Sequence, residues 1–192
     1  MRIVAGALGG RTLVVPTQGT RPTSDRVREA IFSRLAHLDV LDGTRVLDLY
    51  AGSGALGLEA ASRGAQHVTL VDSARVAVDA ARKNVAALGL AAVVSVTAGP
   101  VERYTAALAA APPLSGALDL VFLDPPYDLS DDDLSGVLAD LAAPGVLAPG
   151  AVVVVERSAR SAEPAWPAGL EPFGDKTYGE TRVHYAEPIE PA

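Results

Sequence analysis

Cysteine is absent from the 192 residues, which excludes disulfides and cysteine-based zinc sites. Histidine is scarce. His37, His67 and His184 stand far apart and at no ligand spacing, so they read as ordinary surface or core residues and no metal is expected. No apolar run is long enough to span a bilayer, and Met1-Arg2-Ile3-Val4-Ala5-Gly6 lacks the apolar stretch of a secretory signal. A cytoplasmic protein without a membrane partner is expected. Positive charge is in deficit as well: a net charge of −7 argues against a general nucleic-acid binder. Internal repeats and disordered low-complexity blocks are also missing.

What is present suits one domain with a small appendage. The chain is 49% hydrophobic and 20% charged, so it can bury a real core. Its charge is uneven. Residues 1–34 hold six arginines (Arg2, Arg11, Arg21, Arg26, Arg28, Arg34) against Asp25 and Glu29, a balance of +4, so the rest carries −11. A basic arm on an acidic body attracts an anionic polymer locally while the body discourages non-specific coating.

The stretch Val46-Leu47-Asp48-Leu49-Tyr50-Ala51-Gly52-Ser53-Gly54-Ala55-Leu56-Gly57 reads as a buried parallel strand turning tightly into a helix. Glycine lets the backbone approach a ligand closely, and the helix start leaves N–H groups unpaired. Gly52, Gly54 and Gly57 spell the dinucleotide fingerprint. Asp48, four residues before Gly52, would face a pyrophosphate badly and a cationic ligand well. The pattern D-x-x-x-G-x-G resembles the first motif of S-adenosylmethionine-dependent methyltransferases, in which the acid lies near the amino-acid end of a sulfonium cofactor.

Along the chain, Arg2–Val4 and Thr12–Val15 read as strands of a small hairpin that must lean on the main domain. Thr23, Ser24 or Asp25 caps a helix with an apolar stripe of Val27, Ala30, Ile31, Leu35 and Leu38. Strands at Val46–Tyr50, Val68–Val71, Ala92–Thr97, Leu118–Leu123 and Ala151–Glu156 alternate with helices at Ala55–Arg63, Ala74–Leu88, Val101–Ala110 and Leu134–Leu141. Weaker strand patterns lie near Leu170–Phe173 and Arg182–Ala186. Such alternation predicts an α/β fold, doubly wound, with a mostly parallel sheet covered by helices on both faces.

Ligands of open parallel sheets bind beyond the carboxyl ends of the strands. Asp72 ends one strand, where it can accept both ribose hydroxyls of a nucleoside or simply cap the next helix. Gly99-Pro100-Val101 follows another and is expected to pass an adenine. A fourth end carries Asp124-Pro125-Pro126-Tyr127. Two prolines fix the backbone, so the carboxylate and the Pro125 carbonyl form a rigid pair of acceptors for an exocyclic –NH₂. Tyr127 offers a face on which a splayed-out base stacks, worth about 1–3 kcal/mol. The tetrapeptide resembles the (D/N)-P-P-(Y/F/W) motif of amino-methyltransferases acting on adenine N6, cytosine N4 or guanine N2.

Taken together the chain, from about Arg2 to Tyr185, resembles the RsmD family of 16S rRNA guanine-N2 methyltransferases. The resemblance rests on Arg21-Pro22-Thr23-Ser24-Asp25-Arg26-Val27-Arg28-Glu29, the stretch from Asp48 to Ala60, Ser62-Arg63-Gly64-Ala65, Phe122 to Tyr127, Val155-Glu156 and Tyr178-Gly179-Glu180-Thr181. It implies a seven-stranded, Rossmann-like methyltransferase sheet over 21–192 with an N-terminal β-hairpin extension and linker over 1–20. It implies S-adenosylmethionine held by Asp48, Tyr50, Ala51, Gly52, Ser53, Gly54, Asp72, Ser73, Gly99, Pro100 and Val101. The catalytic corner would be Asp124, Pro125, Pro126 and Tyr127. Arg2, Arg11, Arg21, Arg26, Arg28, Lys176 and Tyr178 would bind RNA. The implied partner is 16S rRNA in an assembled or partly assembled small ribosomal subunit, met by a monomer.

The chain departs from many members at Gly9-Gly10-Arg11, which lacks a second arginine, and at Gly99-Pro100, which lacks an acid for the adenine amine. Arg157 also replaces a common histidine, with no role assigned. An NAD-dependent oxidoreductase would leave D-P-P-Y unexplained and lacks a Tyr-x-x-x-Lys or His candidate. A non-enzymatic RNA-binding module would leave both motifs unused. A DNA or other RNA adenine-N6 methyltransferase shares D-P-P-Y, but little chain remains for a DNA target-recognition domain.

Overall fold

The computed structural model describes residues 1–16, 24–111 and 117–189. Twelve elements follow in chain order: α1 Asp25–His37, β1 Arg45–Leu49, α2 Ala55–Ser62, β2 His67–Asp72, α3 Arg75–Leu88, β3 Val94–Ala98, α4 Val101–Ala110, β4 Leu118–Leu123, α5 Asp131–Leu141, β5 Leu147–Ser158, β6 Leu170–Tyr178 and β7 Thr181–Pro188. Local chemistry sets their ends. The Ser24 hydroxyl accepts the Val27 N–H at the start of α1. Gly89, left-handed at φ 70°, closes α3. Ser130 caps α5 above three aspartates in its first turn, where the helix dipole favours negative charge. That cap starts α5 three residues before the apolar pattern does.

The strands form one sheet in the order β3-β2-β1-β4-β5-β7-β6. All pairs from β3 to β5 are parallel, and β7 joins β5 and β6 antiparallel. This is the expected seven-stranded α/β architecture. Alternation along the strands sorts the core into two layers. Val46, Val68, Leu70, Leu120, Phe122, Val152 and Val154 pack with α1 and α2 on one face. Leu47, Leu49, Val71, Val121, Leu123, Val153 and Val155 pack with α5 on the other. None of the described helices is long and apolar enough to cross a membrane.

Three expectations are corrected. β6 and β7 run well beyond the weak patterns near residues 170–173 and 182–186, because their mutual ladder extends both strands past the buried stretch Val183–Ala186. Tyr50 lies outside β1, with φ 58°. The N-terminal hairpin is not two strands but a single bridge, Arg2 to Thr12. Backbone bonds from Ile3 to Arg11, Gly10 to Ile3 and Leu13 to Met1 flank that bridge, and further bonds tie the arm to α2 and α3. The buried Glu59 carboxylate accepts the N–H groups of Val4 and Ala5 at 2.6 and 3.0 Å. Ser62 accepts from Leu8 and donates to the Ala5 carbonyl, and Asn84 exchanges bonds with both backbone groups of Val14. A Cβ on Gly6 would meet the Ser62 carbonyl oxygen, so only glycine fits that contact. Ile3 and Leu13 are buried in the core of the main sheet.

Candidate active site

Four strands carry an acid at or near their carboxyl ends on one face of the sheet. Asp48 follows Val46 by two residues, Asp72 follows Leu70, Asp124 follows Phe122 and Glu156 follows Val154, so all four share the α1/α2 face. They line one cleft of about 900 Å³. Tyr50, Ala51, Gly52, Ser53, Ser73, Pro125, Pro126, Tyr127 and Tyr178 line it too. The glycine turn and the D-P-P-Y corner, far apart in sequence, therefore face each other across one space.

Asp48 is buried. Its Oδ2 accepts the Gly57 N–H at 2.8 Å, and its Oδ1 has no hydrogen-bond partner. Burial pushes its carboxyl up to about 8, against the lowering by the Gly57 bond and with help from the charges of Asp124 and Asp72. An unsatisfied, buried acceptor of this kind fits a cationic ligand. Gly57 must lack a side chain, since a Cβ there would press on Leu70, Val68 and Asp48 itself.

The turn is held open by its own bonds. Ala51 N–H donates to the Val71 carbonyl and Gly54 N–H to the Ala51 carbonyl. Gly52 has φ 57°, and a Cβ there would enter open space, which is the room a ligand needs. Asp72 takes the Gly52 N–H on Oδ2 and the Ala74 N–H on Oδ1, both at 2.8 Å. It thus ties the turn to the start of α3, and each oxygen keeps a lone pair for a ribose hydroxyl. The Tyr50 hydroxyl donates to Glu102 at 2.9 Å; burial first, then Glu102, raises its pKa.

Tyr127 is 71% exposed at the rim. Arg157, to which the sequence assigns no role, braces this corner. Its guanidinium donates to Asp131 at 2.8 Å and to the Leu129 carbonyl at 3.5 Å, pinning the segment between Tyr127 and α5. Sequence reasoning also missed Glu156 as a site residue. The signal was available: a buried acid follows the apolar run Val152–Val155 near the carboxyl end of its strand, as Asp48 follows Val46-Leu47. Val76 is a further addition, 63% exposed and lining the cleft.

Other expected residues lie elsewhere. Gly99, Pro100 and Val101 do not line the cleft; Gly99 N–H bonds the Asp72 carbonyl and Val101 is buried in the second core layer. Arg28 is corrected as an RNA contact. It is fully buried, and its Nη2 donates to the Arg2 carbonyl and to Asp25, both at 2.6 Å. The reason is its place on α1, where it precedes the buried Phe32 and Leu35 by four and seven residues. Arg11 donates to the Ala87 carbonyl at the end of α3, while Arg2, Arg26 and Lys176 are exposed. Arg21 lies outside the described residues.

A model of the family described as Conserved hypothetical protein 95 matches residues 1–187. Ribosomal RNA small subunit methyltransferase D of Escherichia coli (strain K12) is 36% identical over 185 residues, covering 94% of this chain and 86% of that one. Among solved structures, yhhF from Escherichia coli superposes with a TM-score of 0.82 at 33% identity, covering 98% and 97% of the two chains. A hypothetical protein of Thermus thermophilus superposes with a TM-score of 0.80 at 32% identity, covering 97% and 99%.

Proposed function

This chain belongs to the RsmD family, and from that membership we propose that it transfers a methyl group from S-adenosylmethionine to the exocyclic N2 of one guanine in 16S rRNA. The observation that carries the reading is the single cleft joining the glycine turn, the unpaired Asp48 Oδ1 and the D-P-P-Y corner. An NAD site would set two phosphates beside these acids.

Asp48 and the turn Tyr50–Ser53 would hold the amino-acid end of the cofactor, Asp72 the ribose, and Val76 would give apolar surface to the adenine; Gly54 packs against Leu70 behind the turn. Bound S-adenosylmethionine supplies a methyl group on a sulfonium, whose charge is discharged on transfer. The protein then has to position the amine. The target base leaves its stack and rests on Tyr127. The Asp124 carboxylate and Pro125 carbonyl accept the two amine hydrogens. That would draw the nitrogen lone pair out of conjugation and towards the methyl group, and the Asp124 carboxylate would steady positive charge developing at N2 and take up the proton that the methylated amine gives up. Arg157 keeps the corner in place for this geometry. Arg2, Arg26, Lys176 and Tyr178 would engage the RNA backbone, and the protein would act as a monomer.

The test is transfer from methyl-labelled S-adenosylmethionine to small ribosomal subunits, followed by nucleoside digestion. N2-methylguanosine at one rRNA position is the expected product. Label in N6-methyladenosine, or none in RNA, would refute the reading.

A further inference from the structure

We propose that Glu156 selects guanine, by accepting the ring N1–H next to the amine that is methylated; this rests on the amino-methyltransferase reading above. The D-P-P-Y corner alone cannot choose a base, because adenine, cytosine and guanine all carry an exocyclic amine. They differ at the adjacent ring atom. Guanine presents an N1–H donor there, whereas adenine N1 and cytosine N3 present lone pairs. A second acceptor beside Asp124 therefore separates the three.

Glu156 stands where that acceptor is needed. Leu123 pairs with Val155 in the parallel ladder, so Asp124 and Glu156 are the next neighbours on adjacent strands, roughly 5 Å apart along the sheet. Strand alternation turns both to the same face as Phe122 and Val154. Glu156 is 4% exposed yet lines the cleft. A buried acceptor facing another lone pair is costly, so adenine and cytosine are rejected as well as guanine favoured. The adjacent cation does not compete: Arg157 lies on the opposite face, committed to Asp131 and the Leu129 carbonyl. Glu156 has a partner within the protein, and a carboxylate with four acceptor positions can serve that partner and a base together.

The experiment uses small-subunit RNA carrying guanine or 2-aminopurine at the methylated position. 2-Aminopurine keeps the amine but replaces N1–H with a lone pair. Wild-type protein should prefer guanine by about 100-fold or more in kcat/KM. Glu156→Gln, whose amide can donate to that lone pair, should narrow the preference to under about 10-fold. Comparing ratios cancels the intrinsic reactivity of the two amines. Wild-type binding of S-adenosylhomocysteine by the variant shows that it folds. An unchanged ratio in the folded variant would overturn the proposal. If the glutamine variant does not fold, the wild-type ratio and Glu156→Asp, which should keep the guanine preference, decide; a wild-type ratio near one overturns it. If wild-type protein methylates guanine at no N2 position, the amino-methyltransferase reading itself has failed.

Discussion

Asp48 is the residue whose chemistry responds most to pH. Its folded carboxyl titrates at about 8 against an ordinary 3.8, chiefly because it is buried. Between those values the folded chain holds a proton that the unfolded chain has released. The stability this confers is complete below about 4 and is lost as pH rises through 8. Ligand-free protein should therefore melt at lower temperature at pH 8.5 than at pH 6.5, and Asp48→Asn should flatten that difference in scanning calorimetry. A cationic ligand prefers the ionised form, so S-adenosylmethionine affinity should rise over the same window in titration calorimetry and fall at least tenfold in Asp48→Asn. Much of this site could be read from residue types, since glycines, acids at strand ends and D-P-P-Y each have a local chemical meaning. Arg157 could not. Its role depends on Asp131 and Leu129, brought to it by folding.

Elements were legible where burial alternates with a fixed period. β1, β2 and β4 are apolar because both faces are covered, and α2 and α3 stop at glycines that adopt left-handed turns. The arm pairs as a hairpin over less of its length than its pattern suggests, because several of its N–H groups go to side chains 54 or more residues away, Glu59 and Ser62, and no local pattern announces such partners. Those bonds give Glu59, the acid of α2, a structural purpose. Glu59→Ala would strand two arm N–H groups and the Arg63 guanidinium, at a cost of about 3 kcal/mol. The expected outcome is a melting transition several degrees lower, with protease cleavage appearing first before residue 16. A melting temperature within one degree of wild type would show that Glu59 does not secure the arm.

At the scale of the whole molecule, an acidic body carries an arginine-rich start, and folding divides those arginines between two tasks. Arg26 faces solvent while Arg28 is buried against Asp25. Arg26→Ala should weaken binding to small-subunit RNA and lower the log–log salt slope by about 1. Arg28→Ala should lower stability and leave the slope unchanged. The central claim is that the proline-fixed corner delivers a guanine amine into the cleft. Its most direct test is mass mapping of 16S rRNA from cells lacking this gene and complemented with wild-type or Asp124→Ala protein. One N2-methylguanosine restored by wild type and missing with Asp124→Ala, while the purified variant still binds S-adenosylhomocysteine, is the predicted result. Restoration of that methyl group by Asp124→Ala would contradict it.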